Sequence, residues 1–419
     1  MQTGTAMKLT VAVVGILCLN ALFAAIEPLA PTGGAAVSLL SEAQKKVMVL
    51  PTLAERIRIF RDDRKSGGAL AQDRLWRKPK PLVLEFRVTG EENGPWKVEV
   101  GKSADLSDAR TWYVPVPETE GVTGREVAHT GMPEVVKITL PMANLEVATR
   151  YYWRVSYRGY CGFGCNPKHD CQVCGNRTES PVVSFVTEDL APRWIVVEGE
   201  VGNIRDLGGR VGWNGRRVRQ GLVYRGEAFN DNSVNGEVRG RDRLTGGDIR
   251  YLTGTLGIKT DLDLRGIGET ADMTGSPLGN KVQLVQHSSF GYKRIFEPEG
   301  MEMMAKNFRL FCDRKNYPVY FHCIAGADRT GSLAYVLNGV LGVSRQELET
   351  DWESTFYPKI PDENPDPNLA RRESHFNDGF AKYGDADTPW NERIILYLKD
   401  CGITDSEIEM FRDIMLSPK

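Results

Sequence analysis

The stretch that decides the fold is His322-Cys323-Ile324-Ala325-Gly326-Ala327-Asp328-Arg329-Thr330-Gly331. The preceding run, Tyr317-Pro318-Val319-Tyr320-Phe321, predicts a short buried strand, and residues 332–341 predict a helix. A tight loop between a strand and a helix can bind an anion, because its amides point inward and the helix N-terminus carries partial positive charge. The stretch therefore predicts an α/β domain with a phosphate-binding loop at the end of one strand.

The polar residues of this loop suit phosphoryl transfer. Cys323 is the predicted nucleophile, since loop amides, the helix end and Arg329 favour its thiolate form. Arg329 can bind two phosphate oxygens, and Thr330 can hydrogen-bond the sulfur. A structural cysteine before an ordinary helix-capping turn is the alternative, but the accompanying His, Gly, Thr and Gly favour catalysis. The predicted substrate-binding loop residues are Ile324, Ala325, Gly326 and Ala327.

Two further blocks accompany the loop. They are Gly202-Asn203-Ile204-Arg205-Asp206-Leu207-Gly208-Gly209 and Asp261-Leu262-Asp263-Leu264-Arg265. From about Val196 to its C-terminus the chain resembles the bacterial tyrosine-phosphatase family with the Asn-Phe-Arg-Asp-Leu-Gly-Gly signature, which includes a secreted mycobacterial phosphatase. The resemblance implies a phosphomonoesterase that works through a phosphocysteine intermediate, and this chemistry needs no metal and no cofactor.

A leaving phenolate or alkoxide must receive a proton from a nearby carboxylic acid. Asp328 is the candidate that the resemblance implies, and Asp263, at a predicted strand end, is the second. Either side chain can instead be a structural carboxylate that accepts loop amides. Arg205 and Asp206 are candidate substrate-binding residues, or they organise the turn that precedes them.

The substrate prediction depends on Ala327. Many members of the family carry Lys at this position, and that lysine is associated with binding of highly phosphorylated inositols and phosphoinositides. The loop here holds no base before Arg329, which favours phosphotyrosine or another monophosphate ester, on a protein or a small molecule. Lys293 and Arg294 can supply cations instead, so an inositol-phosphate or phosphoinositide phosphatase is the alternative. A non-catalytic phosphate-binding protein is a third hypothesis.

The 419 residues suffice for two or three domains, and 53 basic against 55 acidic side chains give no sign of a nucleic-acid partner. Residues 1–36 predict a signal peptide or an N-terminal membrane anchor, because Lys8 precedes an apolar run over residues 9–26. Either segment predicts an exported protein, whether periplasmic, secreted or membrane-anchored. Residues 37–79 predict a helical connector.

The rest of the chain predicts two domains. Alternating apolar residues over residues 80–190 predict an all-β domain. Leu145 and residues 149–155 resemble the tyrosine-bearing corner and strand of a fibronectin type III-like sandwich, which implies an accessory domain that binds a protein or a glycan. Residues 194–419 predict the α/β phosphatase domain, with a mainly parallel sheet and helices on both faces.

Cysteines add two expectations. Within the loop 161–174, two disulfides are expected in an exported protein, and a zinc site is the alternative; the four residues are Cys161, Cys165, Cys171 and Cys174. A catalytic thiol must also avoid pairing, so we expect Cys312 to pair with Cys401 and Cys323 to stay free. A reversible disulfide at Cys323 is the rival hypothesis.

Overall fold

The computed structural model describes residues 25–67, 77–89, 96–114, 134–140, 142–157, 178–230, 233–234, 237–238, 243–270, 273–356 and 367–418. The chain divides into two compact units. The first consists of the described parts of Met1–Ala30, Leu84–Ile138 and Trp153–Val183, and the second of those of Pro31–Val83, Thr139–Tyr152 and Ser184–Lys419. Within the described ranges, no helix combines the length and apolar character needed to cross a membrane.

The strands are β1 (Ala25–Ala30), β2 (Ala35–Val37), β3 (Leu82–Thr89), β4 (Trp96–Gly101), β5 (Arg110–Val114), β6 (Glu134–Leu140), β7 (Arg150–Tyr157), β8 (Thr178–Glu179), β9 (Val183–Thr187), β10 (Arg205–Asp206), β11 (Val223–Gly226), β12 (Ser233–Val234), β13 (Glu237–Val238), β14 (Thr260–Asp263), β15 (Gln283–Gln286) and β16 (Val319–His322). The helices are α1 (Glu42–Met48), α2 (Leu53–Lys65), α3 (Gly246–Arg250), α4 (Ile267–Thr270), α5 (Pro298–Leu310), α6 (Arg329–Val340), α7 (Arg345–Glu353), α8 (Pro367–Phe380), α9 (Trp390–Asp400) and α10 (Asp405–Met415).

The described elements of the first unit are strands. β1 pairs with β3, β4 with β5, and β7 with β8, each pair antiparallel. Strand β3 alternates between buried and half-buried residues along its length, as a strand with one face in a core must. Phe86 and Trp96 meet edge to face with ring centroids 5.0 Å apart, which fixes the core face of this unit.

Residues 25–37 contain β1 and β2. β1 pairs with β3, and β2 pairs in parallel with β9, so these residues are strands of the fold. Ile26 is only 3% exposed. β1 and the start of β2 fall within residues 1–36, the segment predicted as a signal peptide or membrane anchor, and that assignment stays a prediction. Residues 1–24 lie outside the described residues.

The predicted connector contains the two expected helices, α1 and α2. Its apolar residues Val47, Ile57 and Phe60 are buried in the large core of the second unit. The Arg56 guanidinium donates two hydrogen bonds to the Glu353 carboxylate at 2.7 and 2.8 Å, and both side chains are fully buried. Residues 37–67 are therefore part of the second unit and do not form a free linker.

The second unit is built on a five-stranded sheet in the order β10-β11-β16-β14-β15. β11, β16, β14 and β15 are mutually parallel, and β10 pairs antiparallel to β11 at one edge. Side chains of β16 alternate between two cores: Val319 and Phe321 enter one, and Tyr320 enters the other. Helices α5 to α10 supply buried residues to the first core, and residues around α3 supply the second. The predicted α/β domain is confirmed.

Candidate active site

Four parallel strands end at one row of the sheet. Gly226, His322, Asp263 and Gln286 are register neighbours, and each is the last residue of its strand. The segments that follow the strands therefore begin side by side at one edge. The central strand of this row, β16, leads into the Cys323 loop and then into α6.

The carbonyl groups of the loop are bound from outside. The Ile324 carbonyl accepts from the Ala228 amide at 3.0 Å, the Ala325 carbonyl from Asn203 Nδ2 at 3.0 Å, and the Gly326 carbonyl from Arg225 at 2.7 Å. In the part of the chain that the structure describes, no hydrogen bond uses the amides of residues 324–328. Carbonyls held outward leave these amides lining the inside of the loop, as an anion cradle requires.

Gly326 is the residue that allows this turn. Its φ of 63° lies in the left-handed region that side chains disfavour. A Cβ at this position would lie 2.3 Å from the Gly226 carbonyl oxygen and 3.1 Å from Asn203 Nδ2. The loop backbone therefore approaches β11 more closely than any side chain permits.

Cys323 follows β16 directly and is 3% exposed. Burial alone would raise the pKa of its thiol, but the hydroxyl and amide of Thr330 and the charge of Arg329 outweigh burial and lower the pKa. Thr330 Oγ1 is buried, and among the described residues it makes no hydrogen bond to a nitrogen or oxygen atom. The assistance of Thr330 to the sulfur during catalysis stays a prediction.

Arg329 is the first residue of α6, and Glu269 holds its guanidinium. Nη1 and Nη2 donate to the two Glu269 carboxylate oxygens at 2.6 and 3.0 Å. The hydrogen bond from Arg329 lowers the pKa of Glu269, so the Glu269 carboxylate stays ionised. It holds the Arg329 guanidinium in place beside the loop. Glu269 comes from the segment after β14, one strand away from the loop.

The two candidate general acids have different surroundings. Asp263 is fully buried, and its carboxylate accepts from Arg265 Nε at 2.9 Å and Nη2 at 2.7 Å. Burial opposes ionisation of Asp263, but His322 and Arg265 lower its pKa. Asp328 instead lines a cavity of about 530 Å³ beside the loop. Other residues around this cavity are Glu269, Phe290, Tyr292, Arg294 and Arg329.

Arg205 and Asp206 are both fully buried. Arg205 donates to Asn203 Oδ1 at 2.5 Å and to Asp351 Oδ1 at 2.9 Å. Asp206 accepts from Arg193 and from the amides of residues 208 and 221 at 2.7–2.9 Å. These contacts match the organising role for both residues, and a direct contact with substrate stays a prediction.

Asp351 connects the arginines behind the loop. It accepts from Arg205, Arg210 and Arg225 at 2.7–2.9 Å. Burial alone would raise the pKa of Asp351, but the three guanidinium groups hold it well below its ordinary value. Because Arg225 also binds the Gly326 carbonyl, α7 helps to position the loop.

His322 and Cys323 point to opposite sides of β16, as the alternation of a strand predicts. The His322 ring packs against Phe229 and Tyr320, while Cys323 lies in the other core. His322 Nε2 lies 3.0 Å from Asp261 Oδ1. Burial would lower the pKa of His322, but Asp263 and Asp261 raise it.

The remaining cysteines correct one expectation. Cys312 and Cys401 are free thiols, so the predicted disulfide between them is wrong. The Cys312 sulfur instead lies 3.3 Å from the Glu407 carbonyl oxygen, and Cys401 hydrogen-bonds with Tyr397. Cys323 is also free, as expected. The loop 161–174, with its disulfide or zinc prediction, lies outside the described residues.

Sequence reasoning missed three residues that hold the site: Tyr292, Arg225 and Asp351. Arg225 is the penultimate residue of β11 and Tyr292 lies after β15, so their place at the carboxyl edge of the parallel strands could have indicated them. Asp351 lies on a helix 126 residues from Arg225, and no local pattern connects the two.

The match to known sequences agrees with this geometry. The chain matches the "Tyrosine phosphatase family" over residues 197–417, more than half of its length. A loop that lowers a thiol pKa beside a bound arginine, within this match, makes the protein a cysteine-dependent phosphatase. The chain belongs to the tyrosine phosphatase family.

Two solved structures are similar to part of the chain. The core catalytic domain of the PP-IP phosphatase SIW14 from S. cerevisiae, in complex with citrate, is 16% identical, with a TM-score of 0.23, over 37% of this chain and 88% of that one. A second Siw14 catalytic core is 15% identical, with a TM-score of 0.22, over 37% of this chain and 87% of that one. No curated protein matches the chain.

Proposed function

We propose that the protein hydrolyses phosphotyrosine, or another monophosphate ester, in two steps through Cys323. The position of the buried Cys323 sulfur carries this proposal, because the sulfur lies at the start of the amide-lined loop beside Arg329, and Thr330 and Arg329 lower the pKa of its thiol. The sulfur attacks phosphorus, and the bond from phosphorus to the leaving oxygen breaks as an acid protonates that oxygen. Water then attacks the phosphocysteine, which releases inorganic phosphate and restores the thiolate.

Asp328 is our candidate for the acid. It borders the cavity beside Arg329, where the leaving group of a bound ester would lie. Asp263 is engaged by Arg265 through both oxygens, which favours a structural role for that carboxylate. In the second step Asp328, now ionised, takes a proton from the attacking water.

The cavity supports an aromatic substrate. Phe290 and Tyr292 form part of its wall and can contact a phenyl ring. Ala327 leaves the loop without a cation before Arg329, as expected for a monophosphate ester. Arg294 also lines the cavity, and this observation keeps an inositol-phosphate or phosphoinositide phosphatase as the second candidate.

The N-terminal part of the protein carries further proposals. The apolar run at residues 9–26 supports export by a signal peptide or a membrane anchor. Residues 80–190 would form a fibronectin type III-like accessory domain that binds a protein or a glycan. One supporting contact is the Tyr151 hydroxyl, which accepts from the Glu146 amide at 2.9 Å, as in the tyrosine corner of such sandwiches.

Turnover of a substrate panel tests the activity. Reduced full-length protein is assayed on a phosphotyrosine peptide, a phosphoserine peptide and a set of phosphoinositides, beside Cys323→Ser. We expect fastest release of phosphate from the phosphotyrosine peptide and none by the variant. Faster turnover of phosphoinositides would favour the second candidate, and no turnover of any phosphoester would contradict catalysis.

A further inference from the structure

Tyr292 has a backbone conformation that is unusual for its residue type. Its φ of 56° lies in the left-handed region, which a tyrosine occupies only when its surroundings impose it. The preceding residue, Gly291, lies so close to the Cys323 loop that a Cβ there would be 3.2 Å from the Asp328 carbonyl carbon. The turn at residues 291–292 is therefore pressed against the loop at Asp328.

Two links tie Tyr292 to Asp328. The Tyr292 amide donates to Ser332 Oγ at 2.9 Å, and Ser332 Oγ donates to the Asp328 carbonyl at 2.9 Å. The Tyr292 hydroxyl also donates to Asp328 Oδ1. The Tyr292 hydroxyl thus binds the Asp328 carboxylate, and the Tyr292 amide is connected to the Asp328 carbonyl through Ser332.

The Tyr292 ring is held in place from the other side. Trp352 and Phe376 each lie with ring centroids 5.9 Å from it, and the Arg372 guanidinium lies 5.3 Å from its centroid. Burial and Asp328 raise the pKa of Tyr292, so its hydroxyl keeps its proton and stays a donor. A packed ring with a fixed donor can impose one orientation on the carboxylate.

The Asp328 carboxylate is not otherwise fixed. Asp328 precedes the first residue of α6, but its side chain makes no capping hydrogen bond. Among the described residues, Oδ1 is bound by Tyr292, and no hydrogen bond or ion pair uses Oδ2. With Oδ1 held, Oδ2 is the oxygen that can carry a proton toward the cavity.

We propose that Tyr292 is a positioning residue that orients Asp328 for proton transfer to the leaving group. This inference rests on the proposed role of Asp328 as general acid. The Tyr292 hydroxyl acts on the leaving group only through Asp328, so the effect of removing this hydroxyl must depend on leaving-group basicity and must disappear when Asp328 cannot donate a proton.

A double-mutant cycle on the full-length protein tests the inference. Wild type, Tyr292→Phe, Asp328→Asn and the double variant are compared by kcat/KM on p-nitrophenyl phosphate, a good leaving group, and phenyl phosphate, a poor one. We expect Asp328→Asn to lower kcat/KM for phenyl phosphate by about 100-fold, with a smaller loss for p-nitrophenyl phosphate. Tyr292→Phe should lower kcat/KM by about 10-fold for phenyl phosphate and leave kcat/KM for p-nitrophenyl phosphate unchanged. The double variant should lose no more than Asp328→Asn alone.

Tyr383→Phe is the matched control, because it removes a 2.9 Å tyrosine-to-aspartate hydrogen bond, to Asp400, outside the loop. It should leave both rates unchanged. If Asp328→Asn does not penalise the poor leaving group, the general-acid assignment fails. Suppose instead that Asp328→Asn does penalise the poor leaving group. If Tyr292→Phe then slows both substrates equally, or adds its full effect to that of Asp328→Asn, the inference on Tyr292 is wrong and the general-acid assignment stands.

Ser332→Ala provides a second test that leaves the aromatic packing intact. It removes the link between the Tyr292 amide and the Asp328 carbonyl. We expect a loss in the same direction, selective for phenyl phosphate and smaller than that of Tyr292→Phe. An equal loss for both substrates would contradict the inference.

Discussion

Two cysteine environments in one domain differ in what surrounds the sulfur. Cys323 is buried in the large core of the second unit, and Cys312 and Cys401 pack against the same core. Burial raises the pKa of Cys312 and of Cys401 to about 12. The pKa of Cys323 is lowered, although its burial is greater. For Cys323 the hydroxyl and amide of Thr330 and the charge of Arg329 outweigh burial, whereas for Cys312 and Cys401 burial dominates.

The largest expected effect comes from replacing Cys323, the predicted nucleophile. Cys323→Ser removes the thiolate nucleophile, and we expect kcat/KM for p-nitrophenyl phosphate to fall by about 10⁴-fold or more. Cys312→Ser and Cys401→Ser should stay close to wild type. Loss of activity in either control, with unchanged folding by circular dichroism, would mean that the two environments do not differ as described.

The next test compares Arg329, beside the Cys323 sulfur, with Arg309, near the Cys312 sulfur. Arg329→Lys removes the two-pronged contact with phosphate and with Glu269, so we expect kcat/KM to fall by about 10²- to 10³-fold. Arg309 lies near Cys312 and pairs with Glu407 at 2.7 Å. Arg309→Lys is the matched control and should change kcat/KM little; equal losses would contradict the assigned role of Arg329.

Loop shape is tested at Gly326. Gly326→Ala forces a side chain into the left-handed region and against Gly226, so we expect a loss of about 1–3 kcal/mol in the free energy of unfolding, with a loss of activity. Urea denaturation and kcat/KM measure the two effects. Gly275→Ala is the control, because a Cβ there meets no atom within 4 Å and the φ of Gly275 lies outside the left-handed region. A Gly326→Ala protein with normal stability and rate would show that the close approach is not needed.

The smallest expected effect concerns the pKa difference itself. Because the surroundings of Cys323 lower the pKa of its thiol, alkylation by iodoacetamide should reach half its maximal rate at a lower pH than for an ordinary thiol. Thr330→Val removes a donor to the thiolate, so the midpoint should rise by about one pH unit. Peptide mass spectrometry separates Cys323 from Cys312 and Cys401, which should react little at neutral pH. An unchanged midpoint in Thr330→Val would mean that Thr330 does not lower the pKa of Cys323.

The sequence could predict what is local. Strand, loop and helix around Cys323 follow from a continuous pattern, whereas the roles assigned to Arg329 and Thr330 from their spacing stay predictions. The opposite orientation of His322 was predictable for the same reason, since alternation along a strand is a local rule.

Contacts between distant segments could not be predicted. The Asp351 carboxylate reaches Arg225 only because α7 packs behind the loop, and the helices of the predicted connector join the core through Phe60 and Arg56. The error over Cys312 and Cys401 has the same origin. Elimination among cysteines ignores the backbone carbonyls that a thiol can contact.

The most direct test of the account is to find the phosphate on its acceptor. Full-length protein is mixed with p-nitrophenyl phosphate, quenched within milliseconds in acid, digested and examined by mass spectrometry. We predict phosphate on the peptide that contains Cys323 and none on those with Cys312 or Cys401. Steady turnover with no phosphate on Cys323 at any quench time, or phosphate on another residue, would contradict the central claim.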